Sequence, residues 1–171
     1  MRAGFMSSIS GRKSSSSSSA SGTKKSDWYV KQFEEFYDAA DGTIGPEGIE
    51  KLCTALGVDP TDVLVLVLAW LLGASTMGYF SREEWLSGQA TLGGCTSPES
   101  MLEQLQAVYA ATRKRQDELR LLHRFTHSFC REDRKKNIDV AVAVPMLSLL
   151  HAEAFPGHVP KLCEFLQVRD A

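Results

Sequence analysis

The sequence predicts an all-α fold, and three observations predict it. Apolar residues recur at helical spacing in one segment after another, and no convincing stretch alternates as a strand would. Two loops thirty-six residues apart, Gly42-Thr43-Ile44 and Gly78-Tyr79-Phe80, each set a glycine two residues ahead of a large apolar side chain, between helix-like stretches. A hydrophobic content of 43% over 171 residues is enough for one domain with a real core.

The elements follow in order. Residues 1–26 hold the serine run Ser14 to Ser19 and carry +5 from Arg2, Arg12, Lys13, Lys24 and Lys25, with no acid. Such a segment buries too little apolar surface to order itself, so it is expected to be a disordered Ser/Lys-rich tail. Serines beside basic residues also suit a phosphorylated or nuclear-targeting tail. Order is expected from Ser26, a good N-cap, with Tyr29, Phe33, Phe36 and Tyr37 on one stripe. Pro46 suits a first helical turn, Ile49, Leu52, Cys53 and Leu56 form the next stripe, and Gly57 stops it. Asp59-Pro60-Thr61-Asp62 starts a third helix, Val63 to Leu72, which is apolar nearly all round and belongs at the centre of the domain. Ser81-Arg82-Glu83-Glu84 is a capping box ahead of Trp85 and Leu86.

Ser97-Pro98-Glu99 opens a helix bearing Met101, Leu105, Val108 and Tyr109. Gln116 to Cys130 follows, striped by Leu119, Leu122, Thr126 and Phe129. Asp139 can cap a segment carrying Val142, Met146, Leu149 and Leu150, in which Pro145 predicts a kink or break. Pro160 to Leu166 is expected to add one short turn of helix.

The two glycine loops form the skeleton of a paired EF-hand, which needs glycine at loop position six for its sharp turn. Their only strand character should be a short ladder at Ile44 and Phe80. Calcium needs six to eight oxygens, several from carboxylates. Positions one, three and twelve of the first loop are Tyr37, Ala39 and Gly48, leaving Asp41 at the fifth. In the second they are Gly73, Ser75 and Glu84, with Met77 at the fifth. The pair therefore reads as a degenerate, calcium-independent scaffold.

Other chemistry is thin. The net charge of −2 leaves −7 for the body once the tail is set aside, which argues against a nucleic-acid-binding domain. No apolar run reaches membrane-spanning length, and the opening MRAGFMSSISGRK lacks the apolar stretch of a secretory signal. Four scattered cysteines without a Cys-x-x-Cys read as reduced thiols in an intracellular protein. His123, His127 and Cys130 share a helix at spacings that can hold a transition metal, or they are ordinary helix residues; no HExxH glutamate accompanies them. Ile49, Cys53, Val65, Leu68, Ala69, Met77 and Phe80 either fill the core or line an apolar cleft between splayed helices.

The segment IGPEGIEKLCTALGVDPTDVLVLVLAWLLGASTMGYFSREEWLSG (Ile44 to Gly88) resembles the potentiating-neddylation domain of the defective-in-cullin-neddylation (DCN-like) family. The likeness continues, less closely, through Leu92-Gly93-Gly94-Cys95, RFTHSFCRE and Asn137-Ile138-Asp139, and covers roughly residues 27–166. It implies a non-catalytic accessory factor, with no cofactor or metal, working in nucleus or cytoplasm. Its partners would be a neddylation conjugating enzyme, whose N-acetylated methionine enters an apolar pocket, and a cullin with its RING protein. The positions matching the pocket are Ile49, Cys53, Val65, Leu68, Ala69, Met77, Phe80, Phe129, Met146 and Leu149. Family members continue past the equivalent of Leu166 into a cullin-docking section, so residues 27–171 correspond to an incomplete domain. The resemblance thus leaves open a chain that holds the conjugating enzyme but not the cullin, or a simpler EF-hand-like peptide-binding module. Without that section, Leu149, Leu150, Leu162 and Phe165 are expected to be partly uncovered.

Overall fold

A computed structural model describes residues 20–131 and 135–170, and over them the chain is a helical assembly around one apolar core. Helix α1 (Ala20–Phe36) begins six residues before Ser26, so part of the expected tail is helical. Once the buried stripe of Tyr29, Phe33 and Phe36 nucleates this helix, it can extend backward at one bond per residue, because no proline stands in the way. Residues 1–19, where most of the expected tail falls, lie outside the described residues. Tyr37 leaves the stripe: it is past the helix end and half exposed, its ring tilted against Phe33 at 5.5 Å.

The first loop leads through β1 (Thr43–Ile44) into α2 (Pro46–Leu56), which ends on left-handed Gly57. Helix α3 (Val63–Leu72) is capped by the Asp62 carboxylate, which accepts from Leu64 N–H at 2.8 Å. Strand β2 (Phe80–Ser81) pairs antiparallel with β1, Ile44 opposite Phe80, which is the ladder anticipated. Helix α4 (Arg82–Ser87) carries the capping box of Ser81 and Glu84, and α5 (Gln89–Leu92) adds a turn. Then come α6 (Pro98–Lys114), α7 (Gln116–Phe129), α8 (Val140–His151) and α9 (Val159–Asp170).

The centre is an interlock between α1 and α4. Tyr29 and Trp85 stack with ring centroids 5.0 Å apart. The Tyr29 hydroxyl donates to the Trp85 carbonyl at 2.7 Å, and Trp85 Nε1–H returns a bond to the Tyr29 carbonyl at 3.0 Å. Both large rings are thus buried with their polar atoms satisfied, as burial of Tyr and Trp requires. Leu68 and Leu72 of α3, Met101 and Leu105 of α6 and Leu122 of α7 are buried in the same core.

Helix α3 departs from the expected all-round burial. Leu64, Val67, Leu68, Ala69 and Leu72 are buried, while Val65, Leu66 and Trp70 are half open. The chain here is more apolar than the core requires, because one flank faces a cleft.

Three expectations for the last helices are corrected. Pro145 does not break α8, which runs unbroken from Val140 to His151. Proline removes only the bond that would reach back to the Ala141 carbonyl, and its ring lies on an exposed flank. Helix α9 is twelve residues long rather than one short turn, because polar Gln167 and Arg169 prolong it with nothing to stop it. Leu150 is buried, at 3% exposure, against the expectation; Leu149, Leu162 and Phe165 are open to solvent.

Candidate functional site

The open flank of α3 forms one wall of a cleft of about 710 Å³. Val65, Leu66 and Ala69 supply that wall, and the turn Pro60-Thr61-Asp62 forms the rim at its N-terminal end. Ile49 of α2 and Phe80 of β2 form the floor, which the β1–β2 pairing fixes. Met77 and Gly78 of the second loop close one end. Across from α3 stand Thr126, Phe129 and Cys130 at the end of α7, and Val142, Pro145, Met146 and Leu149 of α8. Phe129 is held by stacking on Phe125, centroids 5.2 Å apart.

Eight of the ten positions matched by resemblance therefore meet in one hollow: Ile49, Val65, Ala69, Met77, Phe80, Phe129, Met146 and Leu149. Cys53 and Leu68 do not reach it. They are 2% and 1% exposed and lie beneath the floor, around an enclosed void of only about 10 Å³ shared with Ile49, Val65 and Phe80. Burial pushes the Cys53 thiol up from its ordinary range, helped by Asp59, Asp62 and Glu50, so it behaves as a small apolar side chain.

The loops that hold the floor are self-sufficient. Gly42 and Gly78 sit at φ +70° and +81°, the left-handed turn that only glycine adopts freely. Gly48, at position twelve of the first loop, packs so closely that a Cβ there would overlap the Phe36 carbonyl oxygen. In the second loop Glu84 turns inward on its own neighbours. Its Oε1 accepts from the Ser75 N–H and hydroxyl, and its Oε2 from the Ser81 N–H, each at 2.8 Å. Burial pushes this carboxyl up, but the bonds from Ser81 and Ser75 outweigh it and hold it below its usual range.

The metal-spacing residues of α7 are not brought together. Cys130 faces the cleft, whereas His123 turns to His151 of α8, with Nδ1 to Nε2 at 3.0 Å. Among the described residues no group of three or more His, Cys, Asp or Glu side chains lies close enough to hold a metal ion. All four cysteines are free, and no described helix is long and apolar enough to cross a membrane.

No family model matches the chain. Individual proteins do. It is 38% identical over 125 residues to DCN1-like protein 4 of Danio rerio, a stretch covering 72% of this chain and 44% of that protein. It is 36% identical over 127 residues to DCN1-like protein 5 of Homo sapiens, covering 71% of this chain and 51% of the relative. Against DCN1-like protein 4 of Drosophila melanogaster the identity is 33% over 125 residues, 73% and 49% of the two chains.

The chain belongs to the DCN1-like family. It spans about half the length of the curated relatives it matches.

In this DCN1-like chain the cleft also recruits residues that periodicity did not single out as site residues. Among the described residues Asp62 is the only charged one that lines it, and its carboxylate is already bonded to Leu64 N–H. In the sequence it reads as a helix cap, and Pro145 reads as a helix breaker; both also form cleft rim. Cys130 reads as a metal candidate, yet burial pushes its thiol up and it serves as wall. Only knowledge of how α7 and α8 converge on α3 finds these positions.

Proposed function

We propose that this chain is an accessory factor in cullin neddylation: it binds the N-acetylated terminal methionine of a neddylation conjugating enzyme in the cleft and presents that enzyme to a cullin–RING ligase, performing no catalysis itself. One observation carries the reading. The cleft is predominantly apolar, has a single charged residue among its described lining residues, and at about 710 Å³ has the volume of a small-ligand site. Such a hollow suits an uncharged apolar chain end. Acetylation removes the terminal ammonium. Entry of a free ammonium would strip its hydration without providing a dedicated partner, which is costly. A methionine side chain fully buried here contributes about 2 kcal/mol. Membership of the DCN1-like family supports the neddylation context, and the eight converging side chains support the pocket.

Fluorescence polarisation with a labelled peptide from the conjugating enzyme, acetylated or with a free amine, tests the pocket. The acetylated form should bind more tightly, and Leu149→Arg, at an exposed cleft wall, should abolish binding without unfolding the chain. Equal affinity of the two peptides would remove the reading. A reconstituted cullin neddylation reaction with and without the chain tests the presenting role. Peptide binding without acceleration assigns the chain to holding the conjugating enzyme alone.

A further inference from the structure

The N-terminal half of α7 faces a second hollow, of about 360 Å³, between that helix and the end of α8. Its polar lining consists of Gln116, Arg120, His123, Arg124 and His151, with Leu119 and Phe155 as apolar walls; among the described residues no carboxylate lines it. Arg120 and Arg124 stand one helical turn apart and project from the same side. Arg120 has a loose surface pair with Asp117 at 3.6 Å, both side chains largely exposed, and such a pair holds it weakly.

The histidines are arranged so that one of them must donate outward. His123 Nδ1 meets His151 Nε2 at 3.0 Å, and His151 Nδ1 is buried without a hydrogen-bond partner. If His123 were the donor, neutral His151 would carry its proton on that buried Nδ1, stranded without an acceptor. If His151 donates, its buried Nδ1 is only a bare lone pair, and His123 keeps its proton on Nε2. The second tautomer strands no donor and leaves His123 with an N–H for the hollow.

We infer that this hollow binds a phosphoryl group. Two guanidinium forks, a histidine N–H and the Gln116 amide are more donors than the two oxygens of a carboxylate use. A phosphoryl group brings three acceptor oxygens and close to two negative charges, which matches two arginines. The volume exceeds a bare ion and admits the residue that carries it. The inference does not depend on what occupies the cleft.

The test is an NMR titration of the ¹⁵N-labelled full chain with inorganic phosphate, with an O-phosphoserine peptide and with sodium acetate, at matched ionic strength. Phosphate or the phosphopeptide should move the Arg120 and Arg124 side-chain resonances and the His123 ring nitrogens in a saturable way, and acetate should not. Both arginines are exposed, so R120Q/R124Q should keep the fold while weakening the phosphoryl titration about tenfold or more. His123→Gln should weaken it without changing the amide fingerprint elsewhere. Tighter binding of the phosphopeptide than of the free ion upholds the site and assigns it to a modified protein; the reverse order upholds it for a small phosphate. Equal shifts with acetate, or an unchanged titration in the double arginine variant, would overturn the inference.

Discussion

If the cleft takes a chain end only in uncharged form, the preference for the acetylated peptide must depend on pH, and its size can be worked out. A free α-amino group titrates near 7.7–8.0, so at about pH 6 only about one molecule in sixty is neutral, and selecting it costs about 2.5 kcal/mol. At about pH 9 nearly all are neutral and this part of the penalty disappears. The acetylated peptide has no such group. Within the cleft, burial pushes the Cys130 thiol up. Its affinity should therefore be flat. The ratio of the two affinities should fall by about sixtyfold between about pH 6 and about pH 9, read by polarisation with both peptides. Asp62 offers a control. Among the described lining residues it is the one charge that could soften the discrimination by pairing with an ammonium at the rim. Asp62→Asn keeps a good N-cap for α3 and should leave acetylated binding intact while widening the gap at low pH. A gap that stays constant across the range would refute the desolvation reasoning, even with the acetylated peptide still preferred.

Three further outcomes are expected. Met77 closes the cleft yet is 59% exposed, so Met77→Ala should change unfolding free energy by no more than about 0.5 kcal/mol while weakening the acetylated peptide about fivefold, measured by urea melts and polarisation. Gly48→Ala should destabilise the fold by about 1–3 kcal/mol, because its Cβ would overlap the Phe36 carbonyl oxygen and lie 2.8 Å from Ile44 Cγ2; an unchanged urea midpoint would contradict this. Burial, with His127 as a second cause, lowers His123, and burial with His123 lowers His151, so the unfolded chain takes up protons first. Stability from this pair should be complete above about pH 6.5 and fall as the pH drops below it, and His151→Gln should flatten that limb of the stability–pH profile.

How much of this was legible in the sequence differs by element, for physical reasons. Local chemistry was readable wherever it is decided locally. Pro46, Gly57, Asp62, Ser81 and Ser97 mark real helix ends, because caps depend on a few neighbouring residues. The Ile44–Phe80 ladder was readable for the same reason, since two left-handed glycines set its register. Periodicity could separate core from cleft only in part. Cys53 and Leu68 share the apolar character of Ile49 and Val65, and a difference in side-chain direction sends the first pair beneath the floor and the second into the hollow. Pro145 misled because its propensity cost was weighed without the packing of Met146 and Leu150, which carries α8 through it. The His123–His151 contact joins residues twenty-eight apart on two helices, so no spacing rule within α7 leads to it.

The remaining question about the loops is what keeps the helices splayed, and Glu84 answers it in testable form. In an ion-dependent EF-hand the carboxylate at position twelve moves to the cation and opens the helix pair. Here both Glu84 oxygens are committed to Ser75 at position three and Ser81 at position nine, and Ser81 Oγ accepts from Glu84 N–H in return. The carboxylate itself takes the ion's place as the tie across the loop. Glu84→Gln puts an amide NH₂ against backbone or hydroxyl donors on one side, so at least one of the bonds is lost. The site is partly solvated, which keeps the expected cost to about 1–2 kcal/mol in urea unfolding at neutral pH. Because the folded carboxyl is held below its ordinary range, this stability is present above about pH 4.5 and lost as pH falls through the folded value; the Gln variant should lack that limb. A neutral Glu84→Gln, or a parent chain whose melting temperature rises on adding calcium, would mean that the carboxylate is free to leave its serines, and the cleft would then depend on an ion.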